Sequence, residues 1–150
     1  MYDPGMEPRG ARCHCGDLEL RCSGDPKKIS MCHCLDCQRR TGSAFSVAVF
    51  YQRDRVRVVR GTPNTFERQS ASGFPVRFHF CPRCGSNVHW EPQRLPDLVG
   101  VAIGAFADPD FPVPQQSVWT RDKLAWLALP DGVTTFDLNP PRPAAPDTPR

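Results

Sequence analysis

The 150-residue chain contains eight cysteines, and seven of them fall into three short clusters. These clusters are a first pair (Cys13 and Cys15), a triplet (Cys32, Cys34 and Cys37) and a second pair (Cys81 and Cys84). A disulfide between cysteines one or two residues apart is strained, whereas a tight turn can aim two sulfurs at one metal ion. Gly16 and Gly85 follow the two pairs, and glycine permits the left-handed backbone that such turns need. The spacing therefore favours metal binding over disulfides or metal-free thiols.

Seven clustered cysteines are too few for two four-cysteine sites, so one site has four ligands and the other has three. Closed four-ligand sites are typical of structural zinc, and three-ligand sites with an open position are typical of catalytic zinc. Spacing alone does not decide which clusters combine. Joining the two isolated pairs is the natural choice because it leaves the triplet intact.

The residues around these clusters resemble the glutathione-dependent formaldehyde-activating enzyme family. The similarity covers about residues 12–138, and its motifs are RCHCG at 12–16, CHCLDCQRRTGS at 32–43, FCPRCGS at 80–86, DKLAW at 122–126 and DG at 131–132. The resemblance implies a β-tent fold with a structural zinc on the two pairs and a second zinc on the triplet. The chain departs from the pattern at Arg12, where many relatives have glycine, and at Gln116 and Ser117, where many carry a histidine.

The resemblance also implies an activity, the joining of glutathione to formaldehyde, which gives S-hydroxymethylglutathione. The corresponding prediction is a zinc-dependent carbon–sulfur lyase or synthase that acts on a small thiol–aldehyde adduct. A zinc ion with three thiolates has a net charge of −1 and favours a fourth thiolate, so a thiol that enters loses its proton and becomes nucleophilic. Arg39 and Arg40 follow the triplet and could bind a carboxylate of a peptide thiol or only screen the thiolates.

Two other classes of function remain to be weighed. One is a non-catalytic binding module in which both zinc sites are structural. The other is a zinc-ribbon protein that binds nucleic acid. The second is disfavoured because the net charge of +3 becomes zero when seven thiolates bind two Zn²⁺, and no aromatic–basic stripe is present.

The elements that must position these clusters are short. Apolar residues alternate at 18–22, 55–58 and 76–80, and a nearly continuous apolar run covers 45–51. A short helix is predicted around Leu35–Thr41, ended by Gly42. We therefore expect a mainly β single domain of short antiparallel strands over residues 12–138. Residues 1–11 read as a flexible arm, and residues 139–150, with five prolines, as a dispensable extended tail.

The remaining chemically notable residues have simpler interpretations. We expect a buried free thiol at Cys22, solvated imidazoles at His14 and His33 between the cysteines, and core positions for Trp119 and Trp126. His79 shares a strand face with Cys81 and could lie near a zinc, although a role in packing is favoured, and His89 is expected to pack beside Trp90. No apolar segment is long enough to span a membrane, and residues 1–12 do not resemble a secretory leader, so a cytoplasmic location is expected.

Overall fold

Eleven strands, one short α-helix and three 3-10 helices form the regular structure of the described residues, and the 3-10 helices are Arg53–Arg55, Ile103–Phe106 and Thr120–Asp122. The computed structural model describes residues 7–141. The helix α1 is Leu35–Thr41, and the strands are β1 Arg9–Arg12, β2 Glu19–Cys22, β3 Lys28–Cys32, β4 Ser46–Gln52, β5 Val56–Arg60, β6 Asn64–Gln69, β7 Pro75–Phe80, β8 Asn87–Pro92, β9 Leu98–Ala102, β10 Gln116–Val118 and β11 Thr134–Thr135. The prediction of a mainly β single domain is confirmed.

The strands form two sheets. The smaller sheet has the order β1-β2-β5, and the larger has the order β11-β10-β3-β4-β9-β8-β7-β6. Pairing is antiparallel except at β10, which runs parallel to both β3 and β11. Strand β10, from a segment far along the chain, therefore lies between β3 and the short edge strand β11 and places Gln116–Val118 beside the strand that ends at the triplet.

The large sheet has two faces with different roles. Val49 and Val101 point toward the small sheet, where they pack with Leu20 in the main core. Phe50 and Trp90 point the other way and belong to a second apolar cluster. Because neighbouring residues of a strand face opposite sides, β4 and β9 each contribute to both clusters.

The helix follows β3 directly and is short because its ends are both specified locally. The side chain of Cys34 caps the first turn by accepting a hydrogen bond from the backbone N–H of Cys37 at 3.3 Å. Gly42 ends the helix with a φ of 64°, and its N–H donates to the carbonyl of Gln38. This left-handed position suits glycine, so the predicted helix and its end are confirmed.

The structure corrects three details of the sequence analysis. His33 was expected to be solvated, but it is fully buried because β10 covers it. Trp126 was expected in the core, but it is 74% exposed. Residues 9–11 were placed in the N-terminal arm, whereas the structure pairs them with β2 and buries Ala11. Of the predicted tail, residues 142–150 lie outside the described residues.

Candidate metal centres and the adjoining cavity

The two cysteine pairs come together in one four-cysteine cluster. Their four sulfurs all lie within 4.8 Å of one another. The Sγ atoms of Cys13 and Cys15 are 3.6 Å apart, and those of Cys15 and Cys81 are 3.7 Å apart. Tetrahedral zinc with Zn–S bonds of about 2.3 Å separates its sulfurs by about 3.8 Å, whereas a disulfide bond is about 2.0 Å long. The spacing therefore fits a four-coordinate ion.

Tight turns present the sulfurs of this cluster. The N–H of Gly16 donates to the carbonyl of Cys13 at 3.2 Å, and the N–H of Gly85 donates to the carbonyl of Cys81 at 2.8 Å. Both glycines have positive φ, 87° and 76°, as the sequence analysis expected. Side chains that carry a Cβ would strain these turns.

Hydrogen bonds favour the thiolate form at two cysteines of this cluster, Cys13 and Cys84; at Cys15 a hydrogen bond from the backbone of Asp17 acts in the same direction, but burial and the neighbouring sulfurs raise its pKa to about 12. The backbone N–H of Leu18 donates to the sulfur of Cys13 at 3.2 Å. The hydroxyl of Ser86 lies 3.2 Å from the sulfur of Cys84 and lowers the pKa of Cys84 to about 5. A hydrogen bond to the charged form favours that form, so these donors prepare the sulfurs of Cys13 and Cys84 to bind a metal.

The triplet forms a second cluster at the junction of β3 and α1. Cys32 ends the strand, Cys34 caps the helix, and Cys37 lies in its first turn. The three sulfurs lie within 4.8 Å of one another. Hydrogen bonds from the side chains of Cys32 and Cys37 lower the pKa of Cys34 to about 3. This soft three-sulfur donor set suits zinc and leaves one tetrahedral position without a protein ligand.

Three residues could have supplied a fourth ligand, but their contacts lie elsewhere. His33 places Nε2 2.7 Å from the hydroxyl of Ser117, and His79 places Nε2 2.7 Å from the carboxylate of Glu91. Cys22 is buried in the main core, where burial raises its pKa to about 12. Among the described residues, no histidine or carboxylate joins either group of sulfurs. The triplet therefore remains a three-ligand set.

A cavity of about 650 Å³ opens beside the triplet, and all three of its cysteines line the wall. The four-cysteine cluster contributes none of its cysteines to that wall. Phe50, Phe78 and Trp90 form an apolar floor. The cavity is lined by five cationic side chains, namely Lys28, Arg39, Arg40, Arg68 and Arg94. Among the described residues, Asp36 contributes the one carboxylate of the lining. The volume and charge suit a small anionic ligand.

The arginines that follow the triplet differ in how the protein uses them. The guanidinium of Arg40 lies 4.4 Å from the ring centroid of Trp90 and donates to Ser46 Oγ at 2.8 Å and to Asn87 Oδ1. Arg39 lines the cavity and is exposed to solvent. Arg40 is thus fixed between helix and sheet, beside the cysteines, whereas Arg39 has access to a ligand.

Comparison with known proteins adds to this geometry. The family model for the glutathione-dependent formaldehyde-activating enzyme matches residues 8–122, which include both cysteine clusters. The chain belongs to this family. A protein of Halomonas elongata, named provisionally after the same enzyme, is 32% identical over 124 residues, which cover 78% of each chain. The crystal structure of a Rhodobacter sphaeroides protein has a TM-score of 0.51 and 26% identity, covering 64% of this chain and 85% of that one.

Membership in the glutathione-dependent formaldehyde-activating enzyme family agrees with the cysteine motifs, but several cavity residues carried no recognisable motif. Lys28, Trp90 and Arg94 were not singled out from the sequence, although all three line the cavity. Lys28 had one signal, because it shares the face of Cys32 in an alternating strand. None of the helices in residues 7–141 has the length and apolar character required to cross a bilayer.

Proposed function

We propose that this protein binds two zinc ions and that the triplet forms its active site, where a small thiol and an aldehyde are joined or separated. The substrates would be glutathione and formaldehyde, as the family name indicates. The observation that carries the proposal is the contrast between the clusters. The four-cysteine cluster lies apart from the cavity, whereas the triplet lines a cavity that is rich in cations.

Zinc on the triplet would supply affinity for a fourth thiolate and would lower the pKa of an incoming thiol. The side chains around the cavity would attract the thiol, balance the charge of the sulfurs and exclude water. The cationic wall attracts a thiol that carries carboxylates, and the guanidinium of Arg40 offsets the negative charge of the nearby sulfurs. The apolar floor, which includes Phe78 and Trp90, excludes water from one side of the bound thiol.

The reaction needs no oxidant or reductant. The sulfur of the thiol forms a bond to the carbonyl carbon of the aldehyde, and the thiol proton finally resides on the new hydroxyl. The reverse reaction breaks that carbon–sulfur bond. Asp36 is the only carboxylate among the described residues that line the cavity, so its carboxylate and water are the acceptors for the proton. Because both sites need reduced thiols, we place the protein in the cytoplasm.

A spectroscopic titration tests the proposal. Protein loaded with cobalt in place of zinc is titrated with glutathione, and thiolate-to-cobalt absorption is expected to grow with release of about one proton per thiol. A Cys37→Ser variant should lose this response while it keeps the cobalt signal of the four-cysteine cluster. An unchanged spectrum at millimolar glutathione would favour the non-catalytic binding module instead.

A further inference from the structure

Strand β3 carries two chemically different groups at opposite ends of the cavity wall. Lys28, Ser30 and Cys32 share the face that lines the cavity, with Lys28 the first residue of the strand and Cys32 the last. At about 3.3 Å per residue, the Cα atoms of Lys28 and Cys32 are about 13 Å apart. A ligand with its sulfur at the triplet must therefore extend along the strand to reach the ammonium group.

The environment of Lys28 is unusual for a cation. Its side chain is half-buried, and its Nζ lies 5.3 Å from the ring centroid of Phe50. Burial and, next, the charge of Arg94 lower the pKa of Lys28. Of the carboxylates in residues 7–141, none lies within ion-pair distance of Lys28. Burying the ammonium group of Lys28 without a carboxylate partner costs free energy that a bound anion would offset.

The other cations of the cavity differ from Lys28. Arg40 is held by Ser46, Asn87 and the ring of Trp90. Arg68 forms an ion pair with Asp36 at 3.3 Å. These side chains are engaged within the protein near the triplet. Arg39 lies on α1 beside the triplet, so Lys28 is the cation at the far end of the cavity, with Arg94 close enough to lower its pKa.

We propose that Lys28 and Arg94 form a subsite for a carboxylate of the thiol substrate, at the end of the cavity away from the triplet. The inference rests on the proposed function and adds a requirement to it, namely a thiol with a carboxylate several bonds from its sulfur. The γ-glutamyl arm of glutathione meets this requirement. Arg94 is oriented by the carbonyl of Pro140, to which its Nη2 donates at 2.5 Å. Residues at the start of the predicted tail thus help to shape the subsite.

The experiment compares two thiols on the cobalt-loaded protein. Glutathione carries the distant carboxylate, whereas 2-mercaptoethanol has a thiol and no carboxylate. For Lys28→Gln we expect the Kd of glutathione to rise about tenfold, which corresponds to about 1.4 kcal/mol, and that of 2-mercaptoethanol to change less than about twofold. Lys28→Arg should restore most of the affinity because it keeps the charge.

The neighbouring Lys27 provides a matched control. It is exposed and does not line the cavity, so Lys27→Gln removes the same charge without changing the subsite. If Lys28→Gln does not fold, Arg94→Gln provides the same comparison. Equal losses for both thiols, or no loss for glutathione, would overturn the subsite alone. A wild-type spectrum that responds to neither thiol would refute the proposed function and the subsite with it.

Discussion

Removal of one ligand should affect the two cysteine clusters very differently. The four-cysteine cluster joins Cys15 to Cys81, which are 66 residues apart in the chain. Treated as a cross-link of that loop length, the cluster reduces the entropy of the unfolded chain by an amount equivalent to about 4 kcal/mol. The triplet joins residues five positions apart, and the same relation gives about 2 kcal/mol. A domain of this size is stable by about 5–15 kcal/mol in total.

We therefore expect Cys81→Ser to lower Tm by about 12 °C or more, or to abolish cooperative unfolding. Cys81 is fully buried, so the polar hydroxyl and the loss of metal act together. Cys37→Ser should lower Tm by about half as much or less, since Cys37 is half-buried and its neighbours stay joined by α1. Both variants should lose one of two zinc ions.

Differential scanning calorimetry and zinc release to a chromophoric chelator measure these two quantities. The control is Cys22→Ala, because Cys22 is a cysteine outside both clusters and its loss leaves the zinc content at two. A Cys81→Ser protein that unfolds cooperatively at the wild-type temperature would refute the structural role of the four-cysteine cluster. A Cys37→Ser protein that fails to fold would refute the assignment of the triplet as a functional site.

Three further predictions concern residues outside the clusters. A Cβ on Gly100 would lie 2.6 Å from Nε1 of Trp90, so Gly100→Ala should displace the indole. We expect the free energy of unfolding, measured with denaturant, to fall by about 1–3 kcal/mol and the fluorescence of Trp90 to change. Burial, with the nearby charge of His79, lowers the pKa of His89 to about 4, so the folded state resists protonation of His89 and stability is lost as the pH falls from about 6.5 toward 4. The wild-type protein should therefore lose about 2 kcal/mol more stability between pH 7 and pH 5 than the His89→Gln variant. Equal losses in the wild type and the variant would contradict this prediction. Cys22, with its pKa raised to about 12, should react with a thiol reagent only after unfolding, and rapid reaction in the folded protein would show that it is accessible.

The parts of the site that could be predicted from the sequence are those encoded by local spacing. The cysteine pairs required only a turn and a following glycine, and both turns have the expected backbone. The short helix was predictable because Gly42 ends it within the motif itself. The alternation in β7 was also correct, since Val76, Phe78 and Phe80 line the cavity together.

The parts that could not be predicted depend on residues that are distant in the chain. His33 is buried next to β10, where its Nε2 lies 2.7 Å from the hydroxyl of Ser117, a residue 84 positions later in the chain. The local sequence pattern does not predict a parallel strand as short as the three residues of β10. The contacts of Arg40 depend on Asn87 and Trp90 in β8, which are distant in the chain, so they could not be predicted from the residues around the triplet.

The separation of the two cysteine clusters follows from the alternation of one sheet. In β7, Phe78 faces the cavity, whereas His79 faces the other side of the sheet. Cys81, which follows the strand and has the same alternation as His79, packs in the main core. In β3, Cys32 lies on the face that lines the cavity, whereas Ile29 lies on the opposite face and packs in the main core. A shift of one residue in either strand would exchange these faces. The register of these strands therefore places the triplet on the cavity face of the large sheet and Cys81 on its core face, and this separation is the structural basis of the different roles proposed for the two clusters.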